Sequence, residues 1–276
     1  MKKLSLGIST CPNDTFIFDA MVNGRFNTGG LQFECTLTDV EELNKKASEG
    51  IFDITKISYH AYAFVSKQYI LLNSGSALGF NNGPLLVSRK DTSLDELKGK
   101  TIAIPGKYTT ASLLLSVLYP QLDNKVEYLF SDIEDAVLDN KADAGLLIHE
   151  NRFTYSDRGL VKLADLGEEW QSLTSMPIPL GGIAVHRRIA DSIKSSVDHI
   201  LHKSIDHAYK NPMDSIDFVR KYAAAMDPGV MKKHIDLYVN EYSRDLGNEG
   251  RKAVHTLYNM ARRHDIIPPV HDEIFV

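Results

Sequence analysis

A helix–turn–Asp–strand unit occurs twice in this chain and constrains its fold more than any other sequence feature. The first copy covers residues 41–54, and the second covers residues 133–146. Upstream of each copy, an apolar strand runs through a polar loop into a helix, at residues 8–15 and 104–111. Because the order and the internal spacing of both pairs agree, we predict one α/β lobe built twice. The alternative is that any α/β chain contains look-alikes of this kind.

The length and the element pattern fit two lobes. A chain of 276 residues is long for one hydrophobic core. Apolar strands alternate with amphipathic helices through the first two-thirds, which predicts an α/β fold with largely parallel, helix-covered sheets. The pattern becomes helical from Ile189 onward. The repeat restarts after Lys100, and the final helices can cover the first lobe. We therefore expect a larger discontinuous lobe, 1–88 plus 183–276, with a smaller lobe, 89–182, inserted in it.

Charge and hydropathy exclude several classes of protein. Lys and Arg total 31 and Asp and Glu total 36, so the net charge is −5. A chain with this charge lacks the positive electrostatic field of a nucleic-acid-binding protein. No apolar run approaches the roughly 20 residues that span a bilayer. The N-terminus lacks the apolar stretch of a secretory signal. We expect a cytoplasmic protein that binds a small molecule and has no nucleic-acid or membrane partner. A homodimer is the one protein assembly we consider for it.

Cofactor motifs and metal-ligand patterns are absent from the sequence. Cys11 and Cys35 are the only cysteines, which excludes a disulfide scaffold and a zinc site with several thiolates. The chain contains no phosphate loop, no dinucleotide Gly-x-Gly-x-x-Gly fingerprint and no His-Glu-x-x-His. We therefore expect no cofactor and no metal site.

The predicted strand ends select candidate site residues. In facing α/β lobes the ligand lies in the cleft outside the carboxyl ends of the strands. Those ends are residues 9–10, 56–58, 105–110 and 149–150. Thr109 and Thr110 open a helix, whose free N–H groups favour an anion such as a carboxylate. Thr109 can equally be a simple N-cap, and the two roles are compatible.

His149 is the candidate general base. It follows a strand that is expected over residues 144–148 and that ends at the predicted cleft. A neutral imidazole at this position can take a proton at working pH. The alternative is a structural or surface histidine. His60 lies one turn into the helix that follows Ser58, and a helix-surface position is the simpler interpretation for it.

Three residues near the end of the first strand have two interpretations each. Cys11 lies before a helix, where a thiol can become a nucleophile, but we favour a small residue that is packed or lines the cleft. Asn13 and Asp14 can pair with substrate hydroxyls, or they can cap the helix that starts there.

Seven segments of the chain are distinctive. They are STCPNDTF at 9–16, KIS at 56–58, GSALG at 75–79, GPLLV at 83–87, PGKYTTA at 105–111, GLLIHENRFTY at 145–155 and PIPLGG at 177–182. Together they resemble the 1,4-dihydroxy-6-naphthoate synthase family of the futalosine route to menaquinone. The resemblance covers about residues 4–187 and is specific as a set, whereas each segment alone is weak. Where the family's loop at residues 79–83 often has more glycine, this chain has Asn81 and Asn82.

The resemblance implies a two-lobed, periplasmic-binding-protein-like (type II) fold with a central cleft, used as an enzyme. It implies a lyase that converts cyclic dehypoxanthinylfutalosine to 1,4-dihydroxy-6-naphthoate and releases a three-carbon fragment derived from the sugar. It also implies that His149 is the proton acceptor and that Lys56, Ile57, Ser58, Thr110 and Ala111 bind substrate. With Thr109 and Asn13 from the strand ends, these residues form the expected site.

A second function class fits the same fold. A non-enzymatic solute-binding or sensing protein for small carboxylates would have the same two lobes. A transport receptor is expected to carry a secretion signal or a lipoprotein cysteine near its start. A sensing domain fused to a DNA-binding helix pair is expected to carry a basic N-terminal extension, whereas the first strand here begins at Leu4.

Overall fold

Two β-sheets with matching strand order organise the chain. The computed structural model describes residues 2–223 and 227–276. The strands are β1 Lys2–Ser9, β2 Leu31–Thr38, β3 Ile54–Ser58, β4 Tyr69–Leu71, β5 Ala77–Gly79, β6 Leu85–Ser88, β7 Ile102–Ile104, β8 Lys125–Glu127, β9 Ala144–Leu147, β10 Val161–Asp165 and β11 Ile178–His186.

Helices cover both sheets, and they dominate the C-terminal third. The α-helices are α1 Pro12–Val22, α2 Val40–Ser48, α3 Tyr59–Val65, α4 Thr110–Leu118, α5 Ile133–Leu138, α6 Asn151–Thr154, α7 Leu166–Thr174, α8 Asp191–Lys210, α9 Ile216–Tyr222, α10 Pro228–Tyr238, α11 Glu241–Arg244 and α12 Gly247–Arg263.

The strand order repeats between the sheets, as the sequence repeat predicts. The first sheet has the order β2-β1-β3-β11-β4, with β5 also paired to β11, and the second has the order β8-β7-β9-β6-β10. In the first sheet β1 runs parallel to β2 and β3, and in the second β7 runs parallel to β8 and β9. The next strand, β11 or β6, is antiparallel in each case. Helices α1 and α4 follow corresponding strands.

The prediction of largely parallel sheets is wrong, because each sheet is mixed. The chain enters β6 and β11 from the other sheet, not through a crossover helix within the same sheet. No connection therefore requires these two strands to run parallel to their neighbours. The short strands β4, β5 and β10 were not predicted. Each has three to five residues, too few for an alternation pattern to stand out.

The chain passes between the sheets twice. Strand β6 belongs to the five-stranded sheet, although residues 85–88 were assigned to the larger lobe, and β11 returns to the six-stranded sheet from residue 178. The connection 80–84 therefore forms the first passage, and the second lies before β11. The division into two lobes with boundaries near 88 and 183 stays a prediction.

Local chemistry explains how the helices at the strand ends begin. Asp39 caps α2 by accepting hydrogen bonds from the N–H groups of Glu41 and Glu42, and Thr109 caps α4 by accepting from Ser112. The expectation that Asn13 or Asp14 caps α1 is wrong. Pro12 occupies the first helical position and Cys11 the cap, because proline is preorganised for that place. Residues in the first turns of α1 and α4 line one common cavity.

Candidate active site

One cavity lies where the carboxyl ends of the strands meet. It brings together all eight residues that the sequence singled out for substrate binding and catalysis. They are Asn13, Lys56, Ile57, Ser58, Thr109, Thr110, Ala111 and His149. The connection 80–84 and the start of β11 also contribute to its wall, through Asn82, Pro84, Leu180 and Gly181.

A buried ion pair forms the wall below α1. The Lys56 ammonium donates to the Asp14 carboxylate at 2.9 Å, and both side chains are almost inaccessible to solvent. Asp14 also accepts from the Ser9 hydroxyl at 2.7 Å and from the Asn13 amide at 2.9 Å. A buried charge pair is tolerated when additional hydrogen bonds pair its remaining polar atoms, as Ser9 and Asn13 do here for the carboxylate. The pair therefore gives this side of the cavity no net charge.

Ser58 is held by a hydrogen-bond chain that starts on α2. The Asn44 amide donates to the Ser58 hydroxyl at 3.0 Å, and the Ser58 backbone N–H donates to Asn44 at 2.9 Å. The Glu41 carboxylate fixes the same amide at 3.0 Å. Because the Ser58 oxygen already accepts from Asn44, its own O–H is free to donate to a group in the cavity.

The N-terminus of α4 presents free donors to the cavity. Among the described residues, the backbone N–H groups of Thr110 and Ala111 have no hydrogen-bond partner. The Thr110 hydroxyl instead donates to the Leu180 carbonyl at 2.5 Å. No acidic side chain lies in the first turn of α4, so the positive end of the helix dipole is uncompensated there.

His149 lies directly beyond β9 in a left-handed backbone conformation, with φ 58°. Its Nδ1 lies 3.3 Å from the Cys11 sulfur, and its ring packs edge-on to Phe130 at 5.0 Å between centroids. Burial lowers the pKa of the imidazole below its ordinary value, although Glu150 opposes the shift. The ring is therefore neutral at pH 7 and able to accept a proton.

A second histidine supports the first from α10. His234 is fully buried and stacks on His149, with ring planes 9° apart and centroids 5.9 Å apart. Its Nε2 hydrogen-bonds the Asn13 side-chain oxygen at 3.0 Å. Burial and the neighbouring His149 and Lys56 hold the pKa of His234 well below its ordinary value. His234 thus joins α1 and α10 behind the candidate base.

Cys11 and His60 are both buried, so the helix-surface interpretation of His60 is wrong. Cys11 is buried, and burial raises the pKa of its thiol far above the ordinary value, which disfavours a thiolate nucleophile. His60 does not line the cavity; its Nδ1 contacts the Thr109 carbonyl at 3.2 Å. Burial lowers the pKa of His60 to about 4. His60 therefore packs α3 against the start of α4.

Sequence reasoning missed three residues on or behind the cavity wall. Tyr238 and Asn82 line the cavity, and His234 supports it. His234 and Tyr238 come from a C-terminal helix that was interpreted only as cover for the first lobe. Asn82 lies in the loop at residues 79–83, for which the sequence indicated only a departure from the family's glycine pattern. No spacing in the sequence connects these positions to the strand ends.

Within residues 2–223 and 227–276, no group of three or more His, Cys, Asp or Glu side chains is arranged to hold a metal ion. No helix in the same part of the chain is long and apolar enough to cross a membrane.

Comparison with known proteins decides the family. A family model described as menaquinone biosynthesis matches residues 4–263. The chain belongs to the menaquinone biosynthesis family. It is 41% identical to the 1,4-dihydroxy-6-naphthoate synthase of Thermus thermophilus over 276 residues, which cover 100% of both chains. It is 38% identical to the synthase of the same name from Streptomyces coelicolor, over 96% of this chain and 95% of that one. Membership makes this protein an enzyme of menaquinone biosynthesis.

The fold of this family member is also that of binding proteins. A Candida albicans protein whose structure exhibits the generic periplasmic binding protein fold matches with a TM-score of 0.72. The match covers 99% of this chain and 94% of that one at 14% identity. At this identity the likeness shows only the fold. The expected periplasmic-binding-protein-like architecture is thereby confirmed.

Proposed function

We propose that this protein is a carbon–carbon lyase that converts cyclic dehypoxanthinylfutalosine to 1,4-dihydroxy-6-naphthoate, with His149 as its general base. One observation carries the proposal: a neutral imidazole and the free N–H groups of a helix N-terminus line the same cavity. The names of the two full-length relatives support the same reaction.

Substrate binding falls to the donors that the protein itself leaves free. The N–H groups of Thr110 and Ala111 receive the carboxylate of the substrate, because an anion is stabilised at the positive end of a helix. The Ser58 hydroxyl donates to a second oxygen. Lys56, with its charge balanced by Asp14, shapes the wall beside Ile57. Asn13 orients His234 and hence the stacked pair of rings.

Proton removal falls to His149. Cleavage of a carbon–carbon bond followed by aromatisation requires that one proton leave the substrate and that the resulting oxyanion be stabilised. The protonated Cys11 sulfur can accept the Nδ1 hydrogen of His149, and this leaves the Nε2 lone pair for the substrate proton. Aromatisation supplies the driving force, so the proposal includes no redox cofactor. We place this reaction in the cytoplasm.

A turnover assay tests the proposal. Purified protein, dialysed against a chelator, is incubated with cyclic dehypoxanthinylfutalosine, and 1,4-dihydroxy-6-naphthoate is measured by chromatography with mass detection. We expect one molecule of product for each molecule of substrate consumed, with many turnovers per enzyme molecule. Saturable binding of the compound with no product would instead assign the protein to the solute-binding class.

A further inference from the structure

The Asn82 carboxamide is a polar group on the cavity wall to which no role has yet been given. It lies on the connection between β5 and β6 and is 1% exposed. Neither its oxygen nor its nitrogen has a hydrogen-bond partner within the described residues. Native proteins contain few buried polar atoms of this kind, because each one left unpaired loses its hydration without compensation.

The surroundings of Asn82 cannot satisfy it. The amide nitrogen lies 2.8 Å from the point that a Cβ on Gly79 would occupy, so the absence of a side chain at Gly79 leaves room for the carboxamide. The nearby carboxamide of Asn240 is committed elsewhere. It donates to the Leu78 carbonyl at 2.8 Å and accepts from the Tyr242 N–H at 3.0 Å. The Asn82 amide is therefore left unpaired by its described neighbours.

We propose that Asn82 is a specificity-determining residue that binds the hydroxyl-bearing, sugar-derived part of the substrate. A carboxamide offers an acceptor and a donor side by side. A carboxylate would pair with the nitrogen and leave the oxygen unpaired, whereas one hydroxyl or two neighbouring hydroxyls satisfy both atoms. This inference rests on the proposed function. The carboxylate of the substrate then lies at Thr110 and its hydroxyls lie at Asn82, on different segments of the cavity wall.

The test is the variant Asn82→Leu, which keeps the size of the side chain and removes both unpaired atoms. We expect KM for cyclic dehypoxanthinylfutalosine to rise about 10- to 100-fold, with kcat changing far less. The melting temperature of the ligand-free variant should stay level or rise, because no protein hydrogen bond is lost. Asn82→Asp, which removes the donor, serves as a second variant and should also raise KM. The matched control is Asn81→Gly, at an exposed neighbour with φ 58°, which should leave KM unchanged.

The outcomes separate this inference from the proposed function. Normal wild-type turnover with KM unchanged in both Asn82 variants would overturn the role of Asn82, and a fall in melting temperature alone would make it a structural residue. If the wild type shows no turnover, the proposed lyase function fails. The thermal shift produced by the same compound then decides: a smaller shift in Asn82→Leu than in the wild type supports Asn82, whereas equal shifts, or none in the wild type, overturn it.

Discussion

The two copies of the repeat end corresponding strands with different chemistry. Strand β3 ends at Ser58, which the Asn44 side chain holds through two hydrogen bonds. Strand β9 leads to His149, whose polar ring atoms contact, among the described residues, only the weakly bonding sulfur of Cys11. Under the proposed function, the same backbone arrangement would therefore supply a fixed binding group from one sheet and an available base from the other.

The helices that follow β1 and β7 differ in the same way. Asp14 lies in the first turn of α1 and brings a negative charge to that N-terminus, where Lys56 neutralises it. The first turn of α4 has no acidic residue, and two of its N–H groups have no partner in the part of the chain that the structure describes. We therefore expect an anionic ligand to bind at the N-terminus of α4 rather than at that of α1. The matching strand order gives two corresponding helix N-termini, which differ in how their side chains are paired.

The largest effect on turnover is expected when His149, the proposed base, is replaced. His149→Ala should lower kcat by about 10²- to 10⁴-fold, which is the usual contribution of a general base. Substrate affinity should change far less, because the binding donors belong to Ser58 and α4. Steady-state kinetics measure both quantities. The exposed histidine variant His255→Ala serves as a control and should match the wild type. An unchanged kcat in His149→Ala would move the role of base to another residue.

A smaller effect is expected on the binding side. Ser58→Ala removes a hydroxyl that can donate to a buried polar group of the substrate, which costs about 1–3 kcal/mol of affinity. KM should therefore rise about 5- to 150-fold with kcat nearly preserved. Ser204→Ala is the matched control, because Ser204 is buried and hydrogen-bonded to the Ile17 carbonyl outside the cavity. A loss of kcat with KM unchanged would contradict the division between the two strand ends.

The smallest effect is expected at Cys11. Cys11→Ser keeps a small hydroxyl group that can contact His149, so turnover should stay within about 10-fold of the wild type. Loss on the order of 10³-fold, with a covalent adduct detected by mass spectrometry, would make Cys11 the nucleophile. That result would transfer the reactive role from β9 to the end of β1.

Much of this arrangement was predictable from the sequence, and the reason is local. The strand before Ser58 and the helix that Thr109 caps follow from apolar runs and capping residues within a few positions. The carboxyl ends of such strands converge in α/β folds, so His149 and Thr110 could be placed together without a structure.

The remaining features depend on contacts distant in sequence. The stacking of His234 on His149 joins positions 85 residues apart, and no periodicity encodes it. The lack of partners for Asn82 is visible only once Gly79 and Asn240 lie beside it. The antiparallel direction of β6 and β11 follows from how the chain crosses between sheets, which an apolar run cannot reveal.

The pH dependence of kcat/KM tests most directly whether His149 is the base. Burial lowers the pKa of His149 below 6.5, so the neutral, active form persists to more acidic pH than for an ordinary histidine. The wild-type rate should therefore be flat near neutrality and fall as pH drops through an apparent pKa below 6.5. His149→Ala, measured over the same range, should lose this acidic limb along with most of its rate. An acidic limb that persists at the same pH in His149→Ala, or a rate equal to that of the wild type, would contradict the assignment.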